Sequence, residues 1–148
     1  MTDTAENWQY LILVSLIQTN REATMFDAHF ILLHVESPAA SAAFYADLLG
    51  KEPLELSPTF AMFALPSGAR LGLWSRHTVE PAATTTGGAA EIAMIAPSLE
   101  AVDAVHADWR QRGIAILQEP TDLDFGRAFT ARDPDGHRLR VFRPFPEA

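Results

Sequence analysis

The amino-acid sequence predicts an α+β fold of two tandem βαβββ modules that combine to enclose a cavity, and three observations carry that prediction. The stretch PDGHRLRVF at residues 134–142 repeats PSGARLGLW at 66–74, with Pro, Gly, Arg and Leu in register. Each copy closes a run that begins with an apolar strand and a helix with start and stop residues. Between the runs lies TTTGG, residues 84–88, small residues suited to a flexible connection.

In chain order, AHFILLHV from residue 28 reads as a strand. A helix follows in ESPAASAAFYADLLG, with Ser37 as N-cap, Pro38 in the first turn and Gly50 as the stop. LEL, FAMFAL and ARLGLW are short strands, the last two joined by the turn PSG. After the linker the pattern restarts: AEIAMIAP is a strand, and SLEAVDAVHADWRQRG is a helix between Ser98 and Gly113. IAILQEP, RAFTAR and HRLRVF are strands, with DPDG at 133–136 a turn in which Gly takes positive φ. The expected organisation is an N-terminal extension at 1–27, a first module at 28–83, the linker at 84–88 and a second module at 89–148. A lone module exposes one apolar sheet face, so two combine, within one chain or by exchange between chains. A homodimer is the natural outcome.

Composition bounds the partners. With 48% hydrophobic residues among 148, the chain has material for a packed core. Eleven Lys and Arg against nineteen Asp and Glu leave a net charge of −8, the wrong sign for nucleic acid or an anionic membrane surface. The absence of cysteine removes disulfides, thiolate metal sites and a Cys nucleophile. The apolar run WQYLILVSLI at 8–17 is too short to span a bilayer comfortably and follows Asp3 and Glu6 rather than a basic stretch, so the chain is read as cytoplasmic. Two readings of residues 1–27 stay open: a short extra amphipathic helix packing on the body or a partner, or a true start at Met25.

The helix motifs SAAFYADLLG and AVDAVHADWRQRG, with FGRAFTARDPDGHRLRVF at the end, make residues 28–143 resemble the vicinal-oxygen-chelate superfamily, which includes glyoxalase I, bleomycin-resistance proteins and extradiol dioxygenases. Within it the chain is most similar to the phenazine-antibiotic resistance branch, through KEP at 51–53, LPSG and LGLWS at 65–75, EIAM at 91–94, EP at 119–120 and FGRAF at 125–129. The resemblance implies a cup-shaped mixed sheet built by the two modules, and metal-independent binding and sequestration of a planar aromatic small molecule by a dimer. Metal-dependent members hold their ion with four strand positions, which here are Phe30, Gly72, Glu91 and Arg140. Only Glu91 offers a donor, since a guanidinium stays protonated and repels the ion. No metal or cofactor is expected.

The repeat and strand alternation then supply candidates for ligand binding. Phe30 and Trp74 give stacking surface, with Phe60, Phe129 and Phe142 as further aromatic lining. Gly72 beside Trp74 is expected to leave room for a flat molecule. Arg140 and Glu91 either pair structurally or divide the work, Arg140 gripping an acidic ligand while Glu91 orients it. His34 shares the cavity face, as a hydrogen-bonding group or a satisfied core histidine. His29 is expected against a helix, and His77, His106 and His137 at the surface. Asp122, Asp124, Asp133 and Asp135 read as a solvated turn region rather than a calcium site.

No nucleophile elbow, phosphate loop or dinucleotide fingerprint is present, so no catalytic residue is assigned. The alternative function is a metal-dependent lyase or oxidoreductase of the glyoxalase and dioxygenase type, its ion held by a non-standard set drawn from His29, His34, His77 and Glu91. A third reading is a regulatory module whose segment 8–17 binds a partner.

Overall fold

The computed structural model describes residues 28–147. The expectations for residues 1–27 lie outside them. The chain divides between Thr84 and Thr85 into two compact units, and the described residues of each form one helix and one four-stranded mixed sheet.

In the first unit, β1 (Phe30–Val35) leads into α1 (Pro38–Leu49), followed by β2 (Glu55–Leu56), β3 (Phe60–Ala64) and β4 (Arg70–Ser75). The Ser37 hydroxyl accepts the Ala40 N–H at 3.2 Å, satisfying a donor that the first helical turn leaves free. Gly50 ends the helix in the left-handed region at φ 65°, where a Cβ is penalised. Sheet order is β1-β4-β3-β2, with β1 parallel to β4 and the other pairs antiparallel.

The second unit repeats this plan with β5 (Glu91–Ile95), α2 (Leu99–Gln111), β6 (Ile116–Asp122), β7 (Gly126–Arg132) and β8 (Arg138–Pro144), in the order β5-β8-β7-β6. Ser98 caps α2 by accepting the Ala101 N–H at 3.1 Å. The turn between β7 and β8 is organised by Asp133, whose Oδ1 accepts the backbone N–H groups of Asp135 and His137 at 2.9 and 2.8 Å. Asp122 and Asp124 are exposed as expected, but Asp133 is buried, which corrects the expectation of a solvated residue there: its carboxylate replaces the ladder bonds that the turn interrupts.

Alternation along the strands gives each sheet two chemically different faces. In the second unit, Phe129 is fully buried and meets the rings of His106 and Trp109 from α2, edge to face, at 5.3 Å. That face also carries Ala131, Leu139 and Val141, all buried. In the first unit the repeat-related residues Ala61, Phe63, Leu71 and Leu73 are buried likewise, and α1 packs on β3 and β4. Large and small residues exchange places between the units, Ala61 with Phe63 against Phe129 with Ala131, so each helix meets a layer of similar volume.

Candidate functional site

The chemistry lies on the opposite faces. In the first unit, β3 and β4 place Phe60 directly opposite Trp74 and Met62 opposite Gly72, while β1 sets His34 beside Trp74 and Phe30 beside Arg70. Phe60 and Met62 are buried, and Phe30 and Trp74 pack against them as one cluster. The His34 and Trp74 rings meet at 6.5 Å, nearly perpendicular. Three of the sequence-predicted aromatics are thus brought together with His34 at their edge.

Gly72 does not provide the gap expected of it. A Cβ there would lie 2.6 Å from Leu32 Cδ2 and 2.9 Å from Phe60 Cζ, so those side chains already occupy the space over its backbone. Glycine is needed for close packing within the cluster rather than for an opening onto the indole.

At the rim of the same face stands Glu55, paired in register with Met62. Its Oε2 is buried and has no hydrogen-bond partner, and burial pushes the carboxyl above its ordinary value of 4.5. Sequence reasoning passed over Glu55 because β2 is only two residues long and its alternation is invisible without a partner strand.

In the second unit the corresponding face is polar. Arg140 donates to Glu91 in a two-point contact, Nε to Oε2 at 2.6 Å and Nη2 to Oε1 at 2.9 Å. Arg138 forms an ion pair with the same Oε1 at 2.9 Å. The hydrogen bonds from Arg140 hold the Glu91 carboxyl below 4.5 against the opposing effect of burial, with the charges of Arg140 and Arg138 adding to the shift. Thr130 stands directly opposite Arg140, and Ala128 opposite Phe142. Phe142 meets Phe125 edge to face at 5.8 Å.

Phe129 does not join this face. The β7–β8 register pairs it with Val141, and its contacts with His106 and Trp109 place it under α2, so its expected part in ligand lining is replaced by a structural one. His106 is likewise packed inward, its side chain only 12% exposed. His77 is at the surface, Nε2 lying 2.7 Å from Glu36 Oε1.

A groove of about 460 Å³ opens elsewhere in the second unit, between Ile95, Leu99 and Phe145 beside the start of α2, and contains none of the predicted ligand residues.

Comparison with known proteins decides the family. Residues 28–141 match the model of the Glyoxalase/Bleomycin resistance protein/Dioxygenase superfamily. The chain belongs to that superfamily. Among characterised superfamily relatives it is 33% identical over 113 residues to the phenazine antibiotic resistance protein EhpR of Enterobacter agglomerans, covering 74% of this chain and 86% of that one. Among solved structures, protein ATC0852 from Agrobacterium tumefaciens is 49% identical with a TM-score of 0.76, covering 82% of this chain and all of the other. A glyoxalase/bleomycin resistance protein/dioxygenase from Nocardioides is 25% identical with a TM-score of 0.73, covering 90% and 93%. The α+β fold of two tandem modules is therefore that of the superfamily.

The ion of the metal-dependent superfamily members does not fit the residues present here. The four positions that the resemblance assigns to the ion, Phe30, Gly72, Glu91 and Arg140, are a phenyl ring, a bare backbone, a carboxylate and a guanidinium, and both oxygens of that carboxylate already accept from arginine. A divalent cation needs several converging oxygen or nitrogen donors, and it would have to displace Arg140 against like-charge repulsion. The alternative set fares no better: His77 is engaged by Glu36, and among the described residues no three His, Asp or Glu side chains are grouped to hold an ion. Among the same residues no helix is long and apolar enough to cross a membrane.

Proposed function

We propose that this protein binds and sequesters a planar, acidic aromatic compound without a metal ion, as a homodimer in the cytoplasm, in the manner of phenazine resistance. The observation that carries the reading is the replacement of metal-ligand positions by opposite chemistries in the two modules. Phe30 joins an aromatic cluster with Phe60 and Trp74, and Glu91 and Arg140 form an arginine–carboxylate pair. The likeness to a phenazine antibiotic resistance protein supports the same class of ligand.

In this reading Trp74 and Phe30 offer faces to a flat ring system, where stacking adds about 0.5–1.5 kcal/mol beyond the area buried. In the first unit His34 stands at the edge of that aromatic face, and in the second unit Arg140, steadied by Glu91, offers a contact for an acidic group beside Phe142. Sequestration needs no bond to form or break, so binding free energy alone accounts for protection.

The test is a tryptophan-fluorescence titration of chelator-treated protein with phenazine-1-carboxylic acid. Saturable quenching is expected, and it should disappear in Trp74→Phe, which leaves Trp8 and Trp109 as the remaining emitters. Quenching that needs an added divalent ion would overturn the metal-free reading.

A further inference from the structure

Thr130 is fully buried and stands opposite Arg140 on β7, yet its hydroxyl oxygen has no hydrogen-bond partner. Arg140 spends Nε and Nη2 on Glu91, leaving Nη1 buried and unpaired. Arg138 spends Nη2 on the same carboxylate, leaving Nε buried and unpaired. Three polar groups of one sheet face therefore lack partners while withdrawn from water, an arrangement that costs stability in the free protein unless something else fills the valences.

The charges on this face say what that something is. Arg132 stands opposite Arg138, so among the described residues of β5, β7 and β8 this face carries Arg132, Arg138 and Arg140 with one carboxylate, that of Glu91. The local balance is positive in a chain whose formal charge is −8. A cationic patch in an acidic protein concentrates small anions and repels cations. The unpaired guanidinium nitrogens are donors without acceptor capacity, and a threonine hydroxyl rotates to donate where donors surround it.

We propose that Arg138, Arg140 and Thr130 form a subsite for one planar oxyanion, a carboxylate carried on an aromatic ring, which accepts from Arg140 Nη1, Arg138 Nε and the Thr130 hydroxyl. Glu91 serves it as a positioning residue: bound to both arginines, it turns their remaining N–H groups toward a common acceptor without cancelling their charge. The subsite lies within the second module. It rests on the proposed small-molecule binding but specifies the acidic group, and it can fail while aromatic binding stands.

Thr130→Val separates this role from a structural one. Valine has nearly the shape of threonine, so removing an unsatisfied buried hydroxyl should leave the melting temperature unchanged or raise it while weakening anion binding. A hydroxyl that merely supported the fold would lower the melting temperature on removal.

The experiment is a titration of isotope-labelled full chain with benzoate, and separately with benzamide, which has the same shape but no charge, following the arginine Nε–H signals and the Thr130 amide by NMR. Saturable shifts with benzoate and none with benzamide are expected, with benzoate binding about tenfold weaker in Thr130→Val and retained in Thr130→Ser. Arg138→Gln, a change at a partly exposed side chain, should weaken benzoate similarly. Equal responses to benzoate and benzamide, no response to either, or wild-type benzoate affinity in Thr130→Val would each overturn the subsite. Silence toward benzoate with Trp74-dependent quenching by a phenazine intact would remove the subsite alone. Benzoate binding with no quenching by any phenazine would remove the aromatic reading and keep the subsite.

Discussion

At positions related by the repeat, Phe30 stands where the second module has Glu91, Met62 where it has Thr130, and Gly72 where it has Arg140. The first module fills its face with side chains that touch one another, to the point that even a methyl group on Gly72 would collide. The second keeps small residues, Ala93 and Ala128, around a charged trio and leaves polar valences unfilled. Two copies of one fold have thus diverged into an apolar, self-packed face and a polar, charged one. Sheet faces permit this because alternate residues on a strand are free to change without disturbing the layer beneath the helix.

The helix-facing layers, by contrast, have kept one chemistry, and the largest effects are expected there. Phe129→Ala should destabilise by about 3–5 kcal/mol in urea unfolding, because the cavity lies between α2 and the sheet and His106 and Trp109 lose their common partner. Phe63→Ala in the first module should cost about as much, its ring being equally buried. A cost under about 1 kcal/mol at either position would show that the layers are not equivalent.

A smaller effect should separate the two outer faces. Gly72→Ala is expected to destabilise by about 1–3 kcal/mol through overpacking against Leu32 and Phe60. Leu32 is partly exposed and can yield, whereas Phe60 is fully buried and cannot. The same unfolding experiment on Ala93→Ser, at an exposed position of the polar face, should show a change within about 0.5 kcal/mol.

Most of the fold was legible because it rests on local signals: two capped helices, two repeated turns, and strands bounded by Gly and Pro. The sheet face on which a candidate residue stands was legible only where one strand sufficed. Phe30, Trp74, Glu91 and Arg140 follow from alternation along strands whose repeat fixes their parity. Phe129 was misread because its face depends on how β7 pairs with β8, which the bonds between Asp133 and His137 set and composition does not reveal. Thr130 and Glu55 were overlooked for a related reason: a single buried hydroxyl or carboxyl carries no signal until its cross-strand neighbours are known.

The smallest effect expected is a dependence on pH confined to the polar face. Glu91 has its carboxyl pKa lowered, chiefly by the hydrogen bonds from Arg140, so its ion pairs contribute stability that is present above the ordinary value of 4.5 and is lost as pH falls through the lowered value. Glu91→Gln should therefore flatten the acid limb of a plot of stability against pH below 4.5 by an amount within about 1 kcal/mol, the pair being partly exposed. An unchanged acid limb would mean that the pair is formed but energetically idle.

The division of labour between the faces is tested most directly by calorimetric titration of chelator-treated wild type, Trp74→Ala and Arg140→Met with phenazine and with phenazine-1-carboxylic acid. Trp74→Ala should weaken both ligands alike, by roughly 30-fold or more if the indole is a principal anchor. Arg140→Met should weaken only the carboxylate, bringing its affinity to that of the parent ring. Loss of both ligands to the same degree in Arg140→Met, or undiminished binding of both in Trp74→Ala, would contradict the separation of an aromatic face from an anion-recognising one.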